Sequence, residues 1–192
     1  MAPIYLWWIG ADAADRRLLE ATRASIAATF EVATMVWDAP DRPSDTWDAR
    51  RGQHSSTGIL RWLVSRRPLE AGKVIAVTDV DLFIPVLTFV YGEAQLGGKA
   101  AVVSTARLGM EPDGRGLLRT RLAKECIHEL GHTFGLLHCD TPGCVMTRSV
   151  NVTAVDAKRP QLCADCRLDY LERQARQGDD DAQGADADPD RR

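Results

Sequence analysis

A chain of 192 residues with 45% hydrophobic content has room for one well-cored domain and at most a small appendage. Its formal net charge of −3 gives no reason to expect binding to nucleic acid or a membrane surface, and no apolar run approaches the ~18 residues that a bilayer requires. The opening Met1-Ala2-Pro3-Ile4-Tyr5-Leu6-Trp7-Trp8-Ile9 is apolar but lacks a basic n-region and is cut short by Asp12, so it is not a signal peptide; the five cysteines are expected to stay reduced, in the cytoplasm.

Residues 3–9 are rich in β-formers and read as a buried strand, while Leu18, Leu19, Thr22 and Ile26 recur at helical spacing and predict a helix over 11–29. Phe30 to Trp37 reads as the next strand, and a β-α-β opening of this kind implies a parallel pair with a crossover helix. Asp38 to Gln53 carries Pro40, Pro43 and Gly52 and reads as loop. Ser55 or Ser56 can cap a helix with Ile59, Leu60, Leu63 and Val64 on one apolar face, ending near Pro68. Lys73 to Thr78 is a strand again. Pro85 and Gly92 are poorly placed in a sheet interior, so Thr88 to Gln95 is expected to be an edge strand, and Gly97-Gly98 permits a hairpin into Ala100 to Thr105.

A long helix is predicted to start between Asp113 and Leu117 and to run to Phe134. Leu118, Leu122, Cys126, Leu130 and Phe134 form its apolar stripe, with Cys126 as a small core residue. On the opposite side lie His128 and His132 of His128-Glu129-Leu130-Gly131-His132, an H-E-x-x-H segment. Positions four apart on a helix differ by about 40° around its axis, so the His128 and His132 imidazoles can converge on one ion while Glu129 flanks it. Gly135 can take positive φ and end the helix, letting the chain turn back to deliver His138 as a third ligand. Three neutral nitrogens and a water make the open tetrahedral site of a catalytic zinc.

Directly after His138 come Cys139, Cys144, Cys163 and Cys166, as C-x4-C, eighteen residues, then C-x2-C. Four thiols in two close pairs match a closed, structural zinc site. His138 and Cys139 adjoin in sequence yet would bind different ions, so the two sites must be neighbours, and the second would brace the loop that delivers His138. Met146, eight residues past His138, suits either an apolar floor beneath the metal or ordinary core. A final helix follows Cys163 to Gln177. Residues 178–192 hold six aspartates and two arginines with no large apolar residue and are expected to be disordered. The expected fold is α/β, a twisted mixed sheet with an antiparallel edge strand and helices on both faces. A single domain is expected over 1–177, comprising an N-terminal part, 1–135, and a small zinc-braced part, 136–177.

The run H-E-x-x-H-x-x-G-x-x-H-C, then x4-C-x-M, then C-x-x-C, resembles the archaemetzincins, a branch of the metzincin zinc peptidases. Arg50-Arg51-Gly52-Gln53 with Ser55 and Ser56, Thr78-Asp79-Val80-Asp81-Leu82-Phe83 and Phe89-Val90-Tyr91-Gly92-Glu93-Ala94 are similar to that family too. The stretch from Met146 to Cys163 is one residue shorter than the family's, which a loop absorbs. The resemblance implies a metzincin-like fold, a catalytic zinc on His128, His132 and His138, Glu129 as base, Met146 in the Met-turn and a second zinc on the four cysteines. It also implies a cytosolic peptidase without a propeptide. The expected reaction is peptide hydrolysis, in which a zinc-bound water gives its proton to Glu129 and attacks the scissile carbonyl. Peptide or protein substrates, no nucleic acid, no membrane and a monomeric state complete the reading. Three alternatives stay open: a non-catalytic two-zinc binding protein, a metal-dependent ribonuclease with an H-x3-H-x5-H site, and aminopeptidase in place of endopeptidase activity, with Glu93 or Asp81 capturing the substrate amine.

Overall fold

The structure, a computed structural model, describes residues 1–10, 15–39, 41–109 and 114–186. Its elements in chain order are β1 (Ile4–Trp8), α1 (Arg16–Phe30), β2 (Thr34–Asp38), β3 (Trp47–Asp48), β4 (Gln53–Ser55), α2 (Ser56–Arg66), β5 (Lys73–Thr78), β6 (Leu82–Phe83), β7 (Gly92–Ala94), β8 (Ala100–Ser104), α3 (Gly114–Thr133), α4 (Val152–Ala157) and α5 (Ala164–Asp186). Five strands form a sheet in the order β2-β1-β5-β8-β7, parallel except for β7, which runs antiparallel to β8 at the edge.

Burial on both faces explains the near-continuous apolar runs of β1, β5 and β8. Alternate side chains go to opposite faces. Ile4, Leu6, Ile75 and Val77 meet Leu19, Ile26 and Phe30 of α1 and Leu122, Cys126 and Leu130 of α3. Tyr5, Trp7, Val74 and Ala76 meet Ile59, Leu60 and Leu63 of α2. The α3 side of this core continues through Val145, Met146, Val155 and Tyr170, so residues beyond 135 share it.

Several expectations shift. Phe30 ends α1 and does not open a strand: Glu31 takes a left-handed conformation (φ 55°) and its N–H closes on Ala27 O. The predicted start of that helix at 11–14 lies outside the described residues. The loop read over 38–53 contains β3 and the start of β4, which with β6 make a second, three-stranded sheet. Strands of two and three residues are too short to carry a period in sequence. Of the edge strand expected over 88–95, only Gly92–Ala94 is in the sheet, and Val90 makes an isolated bridge to Leu82. The carbonyls before it are drawn elsewhere: Arg51 donates to Pro85 O and Leu87 O, and Gln53 Nε2 to Thr88 O. Finally, α5 stays helical to Asp186, past the point at Gly178 where disorder is expected, because a helix once nucleated propagates cheaply through Ala and Gln. Residues 187–192 of that tail lie outside the described set.

Candidate metal centre

At the end of α3, Gly135 adopts φ +91°; its N–H bonds to His132 O and that of Leu136 to Gly131 O, the paired bonds of a left-handed helix stop. The turn aims Leu136 O back at His132, whose Nδ1 donates to it at 2.7 Å, while His128 Nδ1 donates to Val145 O at 2.8 Å. With both Nδ1 protons committed, both Nε2 atoms carry lone pairs, and they face each other at 3.2 Å. Two lone pairs at that range repel unless a cation lies between them. Two nitrogens on a tetrahedral zinc with bonds of ~2.05 Å sit about 3.3 Å apart, so the spacing fits. His138 completes the group: one ligand atom from each ring falls within 4.8 Å of the others. Arg148 Nε donates to His138 Nδ1 at 3.1 Å from the solvent side.

Burial pushes the His128 pKa well below the ordinary imidazole range, with Lys158 and the other two imidazoles adding to it against the Val145 bond. His138 is pushed to about 4 by burial, His132, Arg148 and Lys158, and His132 is lowered by burial. Neutral imidazoles are the form that binds metal. Met146 is fully buried against the helix, its Sδ 2.5 Å from where a Cβ on Gly131 would stand, so Gly131 lets it approach.

Glu129 projects from the same helix into a cleft of about 560 Å³ that is also lined by His128, His132, His138, Glu93 and Glu125. Burial, then Glu125 and Glu93, raise its carboxyl well above the usual range, with Lys158 opposing. Ile84 and residues 87–91 line it as well. Arg107 holds Asp81 with two bonds of 2.7 Å and covers Phe89, Gln53 Nε2 adds a third bond to Asp81, and Arg51 covers Phe83. Asp81, offered above as an amine-binding group, is therefore already engaged, whereas Glu93 lies in the cleft with both oxygens accepting from Thr57 Oγ1 at 3.1 Å.

The four thiols gather as the spacing predicts. Cys139 Sγ lies 3.7 Å from Cys163 Sγ, and Cys144 Sγ 3.8 Å from Cys166 Sγ. That is far from the ~2.05 Å of a disulfide and near the ~3.8 Å between two sulfurs on a tetrahedral zinc. Burial works to raise the Cys163 thiol, but hydrogen bonds from the Cys166 backbone and the neighbouring thiols outweigh it and bring it to about 7, while Cys144 and Cys166 are pushed up, first by burial. Cys126, by contrast, is fully buried in the core, where its thiol is pushed up. The two sites meet twice: at His138-Cys139, and at Cys144-Val145, whose carbonyl orients His128.

A further layer escaped sequence reading. Helix α4, capped by Asn151, lies against α3 through charged side chains. Arg121 is buried and grips Asp156 with bonds of 2.7 and 2.6 Å; Lys124 donates to Val155 O and Asp156 O; Lys158 Nζ, 3.1 Å from Glu125 Oε1, also lies 3.5 Å from His128 Nδ1. Their spacing on α3 (121, 124, 125, 128) is one helical face, a signal visible in sequence, but their partners lie about thirty residues away and have no local signature.

Residues 69–173 match Peptidase family M54. The chain is 42% identical over 130 residues to the archaemetzincin of Methanocaldococcus jannaschii, covering 66% of this chain and 70% of that protein. It superposes on the crystal structure of the Methanopyrus kandleri archaemetzincin with a TM-score of 0.81 at 32% identity, over 91% of this chain and 96% of that one. For the archaemetzincin of Archaeoglobus fulgidus the TM-score is 0.74 at 34% identity, over 87% and 99%. The chain therefore belongs to Peptidase family M54, the archaemetzincins, and is a zinc metallopeptidase.

Proposed function

We propose that His128, His132 and His138 hold the catalytic zinc, that Cys139, Cys144, Cys163 and Cys166 hold a second, structural zinc, and that Glu129 is the general base. The observation carrying the first assignment is the pair of Nε2 lone pairs 3.2 Å apart, each with its Nδ1 proton committed to a backbone carbonyl. Zinc bound there supplies Lewis-acid chemistry, polarising the scissile carbonyl and bringing the pKa of a water toward neutrality.

The chain's own groups do the rest. Glu129 takes the proton of the attacking water and passes it to the leaving amine; a carboxyl whose environment favours the protonated form is suited to hold that proton between the two steps. Met146 and the Gly135 turn keep the rings in place. Among the described residues β7 pairs only with β8, so its outer edge can take an extended peptide as an added strand, presenting the scissile bond to Glu129. Phe89, Val90 and Val150 give the cleft an apolar lining for substrate side chains.

Replacing Glu129 by Ala is expected to lower kcat about 10²–10⁴-fold with zinc content unchanged. Retained turnover in that variant overturns the base assignment.

The Glu93 carboxylate, which lines the cleft and accepts from Thr57 Oγ1, favours a second reading, capture of a substrate α-amine and hence aminopeptidase activity. Comparing free with N-acetylated peptides decides it, since acetylation removes the charge. A cytoplasmic setting, which keeps the four thiols reduced, and a monomeric state belong to the same reading. Among the described residues no helix is long and apolar enough to cross a membrane.

A further inference from the structure

Lys158 and Glu125 form an ion pair whose side chains are 1% and 3% exposed, directly behind His128. Removing two charges from water is a cost that an apolar pair of the same volume would avoid, so stability alone does not account for the pair. Its surroundings suggest another role. Glu125 lies one turn before Glu129, and its Oε1 accepts from both Lys158 Nζ and Ser149 Oγ, at 3.1 Å each. Lys158 Nζ in turn contacts His128 at the edge whose proton goes to Val145 O. An unpaired Glu125 carboxylate would compete with Val145 O for that proton, rotate the ring and swing toward the metal. Lys158 holds it aside.

We propose that the Glu125–Lys158 pair is a positioning device for the peptidase reaction, fixing His128 on its backbone acceptor and keeping a second carboxylate away from the zinc. The inference rests on the three-histidine zinc centre proposed above. Sequence did not point to either residue: Glu125 lies on a helix rich in charge, and Lys158 follows α4, itself unread.

The test removes the cation alone, Lys158→Met, and then the carboxylate as well, Glu125→Leu with Lys158→Met, in the full zinc-loaded chain. The readouts are melting temperature, zinc retained under chelator competition, and kcat and KM separately. Lys158→Met is expected to hold His-site zinc about 10–100-fold more weakly, with kcat falling while KM stays within about threefold; the double variant, with no carboxylate left to compete, is expected to melt close to wild type and to recover zinc affinity. Zinc retention and kcat both at wild-type values in Lys158→Met overturn the proposal, and so does a double variant that recovers neither. Should the double variant melt well below wild type, Lys158→Arg decides, because it keeps the charge and changes the shape: zinc affinity within about threefold of wild type supports the proposal, and a loss of tenfold or more overturns it. A His128→Ala, His132→Ala variant that keeps its full zinc content overturns the underlying site instead, so the two failures are distinct.

Discussion

Gly92 faces Glu129 across the cleft. A Cβ built on it would stand 2.7 Å from Glu129 Cγ and 2.7 Å from Val102 O, and the second contact is backbone that cannot step aside. In sequence this glycine reads only as a poor fit to a sheet interior; in the structure its missing side chain is the space that the carboxylate occupies. Gly92→Ala should therefore push the carboxylate off its position. We expect kcat lower by about tenfold or more, with stability reduced by about 1–3 kcal/mol as for other overpacked sites. Steady-state kinetics with thermal melting checks it, and a variant with wild-type kcat would show that Glu129 tolerates displacement. His128, Glu129, His132 and His138 were legible because their geometry is that of one helix and its stop, set by residues adjacent in the chain.

At the scale of elements, α3 is held to α4 by Arg121 and Asp156, and to the C-terminal segment by the thiol cluster. Arg121 is 2% exposed on its side chain, so Asp156→Ala takes the paired carboxylate away from a buried guanidinium that also donates to Leu108 O. Because Asp156 is itself partly exposed, the expected loss is discounted to about 2–3 kcal/mol, or roughly 5–10 °C in melting temperature. Unchanged melting would mean that α4 is held by its apolar contacts alone. The Cys163→Ser, Cys166→Ser double variant removes half of the thiol cluster at the start of α5. It is expected to lower melting by about 10 °C or more, because structural zinc binding is folding energy, and to weaken zinc at the histidines through Val145 O and Cys139. Metal analysis with calorimetry measures both; full zinc at the histidines with unchanged melting would sink the bracing role. The existence of α3 was legible from a long apolar period, whereas β3, β4, β6 and α4 were not, being too short to show one.

Across the whole molecule, Lys73 on β5 ties the central sheet to the hairpin and to the end of the metal-site helix. Its Nζ donates to Gly98 O and Thr133 O at 2.7 Å each and lies over the Phe134 ring. Burial, then Lys99, lowers its pKa from 10.5 to about 8. The unfolded chain thus keeps this proton up to a higher pH than the native one, and between the two values the unfolded state binds more protons. Stability from this group rises with pH across that window and is penalised below it. We expect wild type to gain on Lys73→Met by up to about 2–3 kcal/mol as pH goes from 8 to 10.5. Denaturant melts of both chains at several pH values test this; a constant difference would mean that the two carbonyls fully compensate the burial of the charge.

The sequence by itself determined the two candidate ligand sets, the helix that carries the histidines and the buried parallel strands, because each depends on spacing along a few turns or a run of apolar residues. Tertiary structure alone decided that Val145 O orients His128, that Lys158 answers Glu125, that Asp81 is spent on Arg107 while Glu93 stays in the cleft, and that Gly92 makes room for Glu129. These contacts join residues from 17 to 37 positions apart, and such pairings are set by how the layers pack, leaving no period in the chain to read.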